Sequence, residues 1–322
     1  MYNTIERDNV YIKQLLDFIS SAYNLEPIFI TPAKRGYFGE TWRLYTANKS
    51  YFLKLDYSNL HKDIYKNSFH IIQHLNDYGV DFISRIIKTQ QGELSSCFDS
   101  AVIGIFDWID GENIQDERTK IPEYQMLAKV YTVPTKELSI PRENFSTESA
   151  DLFFAQCEKL NSDSADKTAT QILELFKHNQ DKINHHAERL KLFSERCKTD
   201  TSDFYITHGD AGGNIIMNSE NFYIVDWDDP ILAPPERDAW FCLYWDWAMD
   251  TFNKEMQKNS INYTLHPERL AYYCYHMFFW YMTEHLETYF EIGNRGGDMH
   301  EKLIDYFSGW IEEELKFADT IK

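Results

Sequence analysis

Apolar positions recur at helical spacing from Val10 through Ile12, Leu15, Leu16, Phe18 and Ile19 to Tyr23, which predicts a first helix over residues 8–23. Alternating or apolar runs follow at Glu26–Ile30, Thr41–Thr46 and Tyr51–Leu55. They are separated by the turn formers Arg35-Gly36-Tyr37-Phe38-Gly39 and Ala47-Asn48-Lys49, a pattern of three antiparallel strands. A helical stretch from Asn59 to Tyr78 stops at Gly79. Two further strands, Phe82–Thr89 and Ala101–Phe106, flank the turn Gln90-Gln91-Gly92. Past Asp107-Trp108-Ile109-Asp110-Gly111-Glu112 the rhythm turns mainly helical, around 123–132, 148–160, 165–197, 236–249, 267–290 and 298–318. The predicted class is α+β. A five-stranded antiparallel N-terminal lobe with one inserted helix precedes a mainly helical C-terminal lobe, with the division near residue 109.

One segment breaks the helical half. Tyr205–Thr207 reads as a short strand ending in His208-Gly209-Asp210, followed by a Gly-rich turn closed by Asn214. Two more short apolar runs, 214–217 and 222–225, flank the polar turn Asn218-Ser219-Glu220, and the second ends in Asp226-Trp227-Asp228. An Asp after a strand is commonly no more than a turn former or a helix cap. The ordered set is more specific. Kinases use an Asp after a strand to orient the attacking hydroxyl, then an Asn and a second Asp to hold magnesium against nucleotide phosphates.

On these residues the chain resembles the aminoglycoside phosphotransferase and choline kinase-like family, whose protein-kinase-like two-lobed fold phosphorylates small-molecule hydroxyls. The run Asp226-Trp227-Asp228-Asp229-Pro230-Ile231-Leu232-Ala233-Pro234-Pro235-Glu236-Arg237-Asp238 and the helix from His266 to Tyr289 are similar to the spectinomycin phosphotransferase branch. The resemblance implies ATP and Mg2+ as cofactors, with Asp210 as catalytic base and Asn214 and Asp226 as magnesium ligands. It places Gly36 and Gly39 in a hairpin over the phosphates, where glycine lets backbone amides approach. It assigns Lys54, a lone cation in the third strand, to the α- and β-phosphates. It puts adenine against the backbone at Asp107, Trp108 and Ile109. Residues 1–108 would form the nucleotide-binding lobe and 109–322 the catalytic and acceptor-binding lobe.

Two departures stand out. The Asn follows the Asp by four residues where the kinase pattern has five, and Gly212 and Gly213 are predicted to absorb the tighter path with positive φ. The helix after the third strand contains no Glu to pair with Lys54. The family position falls near Ser68, and Asp63 is the nearest earlier carboxylate.

Charge narrows the acceptor. The chain carries a net −19, and residues 201–322 alone hold 22 Asp and Glu against 8 Lys and Arg. Such a field disfavours nucleic acid and anionic membrane and favours a small cationic, hydroxyl-bearing substrate. Asp228, Asp229 and Glu284 are candidate acceptor contacts, and the pairs Asp246/Asp250 and Glu284/Glu287 have the spacing of a shared helical face. Exposed helix carboxylates are commonly just solvated, and Trp240, Trp245 and Tyr281 serve equally as core or as platforms for a sugar ring.

The length of 322 residues suits two cores, and 43% hydrophobic with 16% aromatic residues excludes extensive disorder. No apolar run reaches membrane-spanning length, the first residues lack a signal-peptide pattern, and five scattered cysteines fit a reduced, cytoplasmic protein. The acceptor stays open between an aminocyclitol or aminoglycoside and a metabolite such as choline, homoserine, a thiosugar or an amino sugar. A catalytically inactive nucleotide-binding homologue is the other alternative. A protein-kinase activity is disfavoured because no activation-loop motif follows Asp226-Trp227-Asp228.

Overall fold

The computed structural model describes residues 7–33, 39–57, 62–114, 116–136, 138–160, 167–219, 221–292, 303 and 310–322. Chain contacts cluster into two compact units, one drawn from 1–141 and 208–231, the other from 142–207 and 232–322. This grouping follows spatial proximity, whereas a division at residue 108 follows the change from strands to helices along the chain.

In the first unit, α1 (Asn9–Tyr23) starts where the Asp8 side chain accepts the Tyr11 N–H and stops where Asn24 turns left-handed at φ 49°. Its buried Leu15, Ile19 and Tyr23 recur every fourth residue and pack on the sheet through Trp42, Leu44, Leu53 and Ile103. That sheet is antiparallel, in the order β1-β2-β3-β5-β4. Its strands are β1 (Phe29–Pro32), β2 (Glu40–Tyr45), β3 (Ser50–Asp56), β4 (Ser96–Phe98) and β5 (Ala101–Asp107). Between β3 and β5 in sequence lies α2 (Lys62–Asp77), after which Gly79 takes φ +80°. In the register, Lys54 on β3 faces Thr41 on one side and Gly104 on the other, which puts this cation in the middle of the sheet.

The fourth strand is displaced from its predicted position. Residues 82–89 make only single bridges, Ile83 to Ile224 and Ile86 to Phe106, and the ladder partner of β5 is instead Ser96–Phe98. The two segments share one edge of β5: Asp107 donates to Arg85 and Ile87 to Ile105, while β4 pairs with residues 101–103. Alternation of apolar residues therefore reported burial against β5 without a continuous ladder.

The same unit holds α3 (Lys120–Val130) and a small sheet in the order β6-β8-β9, formed by Glu112–Asn113, Ile215–Met217 and Phe222–Ile224. Strand β7 (Tyr205–Thr207) leads into the first loop of this hairpin.

The second unit is mainly helical: α4 (Glu148–Lys159), α5 (Lys167–His178), α6 (Gln180–Cys197), α7 (Glu236–Ala239), α8 (Ala248–Lys258), α9 (Pro267–Ile292) and α10 (Trp310–Thr320). Its aromatic core gathers Phe145, Phe153, Phe193, Trp240, Tyr275, Phe278 and Phe279 around α9. The stretch predicted as one helix over 165–197 is two, divided at Asn179, whose backbone leaves the helical region at φ −107°, ψ 15° while its N–H and side-chain amide both bond the Leu175 carbonyl. The stretch predicted over 236–249 also breaks. A 3-10 turn covers Trp240–Tyr244, Trp245 is extended, and a new helix begins at Ala248. Asp246 thus precedes the helix that carries Asp250, and the two do not share a helical face. The predicted turn at 35–38 and parts of the predicted helices at 59–61, 165–166, 298–302 and 304–309 lie outside the described residues. Among the described residues no helix is long and apolar enough to cross a membrane, and all five cysteines are free.

Candidate active site

The catalytic-type loop begins as β7 ends. Gly209 takes φ +90°, which turns the chain so that Asp210 follows with its backbone at φ −146°, ψ 42°. His208 clamps the turn. Its Nδ1 accepts the Asp210 N–H at 3.1 Å, which leaves Nε2–H to donate to the Val225 carbonyl at 2.9 Å. The ring is buried and sits 4.7 Å, edge to face, from Trp227, so it ties the loop to the end of β9.

The shortened path from Asp210 to Asn214 is a 3-10 turn over Ala211–Gly213, closed by the Asn214 N–H on the Ala211 carbonyl at 2.9 Å. Neither Gly212 nor Gly213 has positive φ, contrary to the expectation from the sequence. Gly212 is closely approached by a side chain. A Cβ there would lie 2.7 Å from Nζ of Lys120, in the first turn of α3. The tight turn brings the Asn214 amide onto Asp210, with Nδ2 donating to its carbonyl at 2.8 Å and its carboxylate at 3.2 Å. The amide oxygen of Asn214 is the group left to serve as a ligand.

Asp226 closes the hairpin at φ +64°, a left-handed conformation that a non-glycine residue adopts at a cost and that tends to mark functional positions. Trp227, buried beside it, donates to the Ile224 carbonyl at 3.2 Å. The turn sends the carboxylates of Asp226 and Asp228 toward one cation. Lys54 Nζ bonds Asp226 at 3.1 Å and also ion-pairs Asp228. Burial works to lower the Lys54 pKa, but Asp228 and then Asp226 more than offset it and hold it above the ordinary value. The two carboxylates keep 45% and 42% of their side-chain surface open, yet the protein mass behind them is enough to shift both. Burial pushes Asp228 up to about 6, with neighbouring Asp226 adding to the effect, while Lys54 holds Asp226 below the usual carboxylate range against its burial. Burial also raises Asp210, partly countered by His208 and then reinforced by Asp226. Lys54, Asp210, Asn214, Asp226 and Asp228 therefore form one constellation in the first unit.

Other predicted positions have different surroundings. Gly39 is at φ +75°, and a Cβ there would meet the Leu55 carbonyl oxygen at 2.1 Å, so glycine is dictated by close approach to β3; Gly36 lies outside the described residues. Next to it, buried Glu40 receives Arg7 Nε at 2.8 Å and both Tyr11 and Trp42 at 3.2 Å, which anchors the base of this hairpin. Asp107 has its N–H committed to the Arg85 carbonyl at 2.8 Å, and its own carbonyl accepts the Ser84 hydroxyl. Its carboxylate binds Lys49 and Arg85. Asp107 is thus a brace for the segment, and its carbonyl keeps a second lone pair beside the backbone groups of Trp108 and Ile109. Trp108 lies under the Arg43 guanidinium at 4.3 Å. Asp228, an acceptor candidate from the sequence, is turned to Lys54. Asp229 is exposed in the first unit, and Glu284 is half-buried on α9 of the second.

An ion pair and a tyrosine beside these residues escaped the sequence reading. Lys120 and Glu123 form a buried ion pair at 2.8 Å against the catalytic-type loop, with side chains 6% and 1% exposed. A Lys and a Glu three apart at the start of a helix was the available signal. The other is Tyr65 of α2, whose ring lies 4.9 Å from Lys54 Nζ. Among the described residues of α2 no Glu approaches Lys54, and Ser68 spends its hydroxyl on the Tyr65 carbonyl at 2.8 Å. The Asp63 side chain lies outside the described residues.

A five-stranded sheet with one inserted helix, followed by a strand, loop and hairpin carrying Asp, Asn and Asp in order, is the protein-kinase-like fold. Within that fold the chain is similar in structure to spectinomycin phosphotransferase APH(9)-Ia in complex with ADP and spectinomycin. The TM-score is 0.78 at 19% identity, covering 95% of this chain and 98% of that one. Amicoumacin kinase hAmiN, in complex with AMP-PNP, Ca2+ and Ami, matches at TM-score 0.63 and 12% identity over 96% and 93% of the two chains. Choline kinase from Cryptosporidium parvum Iowa II matches at 0.58 and 13% over 90% of each. No protein-family model matches the sequence, and no curated protein does. The likeness is therefore one of fold.

Proposed function

We propose that the protein is an ATP- and magnesium-dependent phosphotransferase acting on a hydroxyl of a small cationic molecule, an aminocyclitol or aminoglycoside of the spectinomycin type. The observation that carries the chemistry is the convergence of Lys54 with Asp226 and Asp228 beside the Asp210–Asn214 pair. The cluster sets three carboxylates against one bonded cation, which is suited to a divalent metal and its phosphates. Among the described residues no three His, Cys, Asp or Glu side chains could hold a metal alone. Magnesium bound with a nucleotide needs only one or two protein oxygens, because phosphates and water complete its shell. Asp226 and the Asn214 amide oxygen are the hard ligands that fit. When bound, magnesium would neutralise charge on the β- and γ-phosphate oxygens.

In this reading Lys54 binds the α- and β-phosphates, and Trp108 and Ile109 offer backbone groups to adenine. Residues 1–108 supply the nucleotide lobe and 109–322 the catalytic and acceptor groups. The acceptor oxygen attacks the γ-phosphorus, and the bond from that phosphorus to the β–γ bridging oxygen breaks. ADP leaves, and the hydroxyl proton passes to the Asp210 carboxylate. A carboxyl raised by burial is a better proton acceptor than an exposed one. The His208 clamp and the Asn214 amide hold that carboxylate in one orientation, so most of the rate gain is positional and electrostatic. The acidic excess of residues 201–322 favours a cationic acceptor, with Asp229 and Glu284 as candidate contacts.

The test is ADP release with ATP and magnesium over a panel of spectinomycin, kanamycin-type aminoglycosides, choline, homoserine and thiosugars, with Asp210→Ala alongside. Turnover of spectinomycin that disappears in the variant is the expected result and would make an antibiotic-resistance role concrete. Turnover of a metabolite alone would assign a metabolic kinase. Nucleotide binding without turnover of any acceptor would leave an inactive homologue.

A further inference from the structure

Tyr65 is 3% exposed, and its hydroxyl has no hydrogen-bond partner among the described residues. A buried hydroxyl left without a partner is costly and rare in folded proteins, so it would gain from an acceptor brought to it. Its place narrows what that acceptor is. The ring lies 4.9 Å from Lys54 Nζ and packs edge-on against Phe69 at 5.1 Å. The tyrosine therefore stands beside a cation that is itself buried. The helix that carries it presents no glutamate to that cation.

We propose that Tyr65 is a nucleotide-phosphate ligand, its hydroxyl donating to an α- or β-phosphate oxygen held by Lys54 while its ring face supports the ammonium. The inference rests on the reading of this site as a nucleotide site. It gives α2 a role in the site through Tyr65. A glutamate would fix the lysine by charge and repel phosphate. A tyrosine supports the lysine through the ring quadrupole and offers phosphate a donor.

The decisive variant is Tyr65→Phe, which keeps the ring and removes only the hydroxyl. Binding of ATP, ADP and adenosine is measured by calorimetry in the presence of magnesium, with thermal unfolding of the nucleotide-free protein alongside. The expected result is a loss of about tenfold or more in affinity for ATP and ADP, the scale of a hydrogen bond to a charged group. Adenosine affinity should be unchanged, and the nucleotide-free protein should be as stable as before or more so. A merely structural role would instead lower stability and weaken all three ligands together, and would overturn the proposal. So would unchanged ATP affinity in the variant. Failure of the unmodified protein to bind ATP at all would overturn the kinase reading and this inference with it.

Discussion

Lys54 and Asp228 form an ion pair in which the lysine side chain is almost enclosed, at 8% exposure, while the aspartate keeps 42% of its surface open. Asp226, two residues earlier, shares the same ammonium at 3.1 Å. Among the described residues it is the hairpin that supplies counter-ions for the buried lysine, a task that the sequence pattern would have assigned to the helix after β3. Asp228→Asn should therefore raise the KM for ATP about threefold to tenfold, since one of two partly open partners is removed. The KM for the acceptor should stay within about twofold. Steady-state kinetics with each substrate varied in turn checks this, and the opposite split would return Asp228 to the acceptor side.

Asn214 is bonded to Asp210 through its amide nitrogen and offers only its oxygen outward. Asn214→Ala removes both, so kcat should fall about a hundredfold and the magnesium concentration needed for half-maximal rate should rise. Asn214→Asp keeps an oxygen ligand but loses the donor to Asp210. It should retain the magnesium dependence and lose kcat. A magnesium titration of the two variants separates the roles, and identical profiles would argue against them.

The close approach of Lys120 to Gly212 predicts a coupled pair. Gly212→Ala places a Cβ 2.7 Å from the Lys120 ammonium, which is buried and tied to Glu123 and has little freedom to move away. Destabilisation of about 1–3 kcal/mol is expected. In a Lys120→Ala background the same substitution should cost well under about 1 kcal/mol, because the clash is gone. Denaturant unfolding of the four proteins in the cycle gives the coupling, and additivity of the two changes would rule the contact out.

Glu236 gives the second unit a pH-dependent stability. It is wholly buried, accepts the His266 N–H and the Tyr263 hydroxyl, and sits near Arg269. Burial outweighs these partners and pushes its carboxyl from 4.5 up to about 7. The folded protein therefore holds this proton between pH 4.5 and about 7, where the unfolded chain has released it. The stability so contributed is complete below the lower value, falls as pH rises through the window, and is gone above it. The swing is up to about 3 kcal/mol. Glu236→Gln should flatten this part of the stability curve. Unfolding followed from pH 4.5 to 8.5 checks it, and an unaltered slope in the variant would assign the dependence to another group.

Gly39 makes a simpler case. With φ +75° and a Cβ that would meet the Leu55 carbonyl at 2.1 Å, Gly39→Ala should destabilise the protein by about 2 kcal/mol or more and weaken ATP binding through displacement of β3. Thermal unfolding with and without ATP reads both effects, and wild-type behaviour would show that the strand can yield.

Much of the architecture was legible in residue order. The every-fourth spacing of Leu15, Ile19 and Tyr23, the apolar run around Lys54 and the Asp210, Asn214, Asp226 series each have a local cause, in side-chain periodicity or turn chemistry, and each lies where that cause put it. Boundaries that depend on competition were not legible. Residues 82–89 alternate like a strand but make single bridges to Phe106 of β5 and Ile224 of β9, and the helix expected over 165–197 divides at Asn179. The composition of the site shows the same split. The sequence by itself determined which groups of the constellation are present and in what order, because those follow from strand, turn and strand. Only the tertiary structure decided that Asp228 turns to Lys54, that Tyr65 stands where an acidic partner was sought, and that Gly212 makes room for Lys120. Those relations join residues 11 to 174 positions apart on different elements, and nothing local in the chain encodes a distance across space.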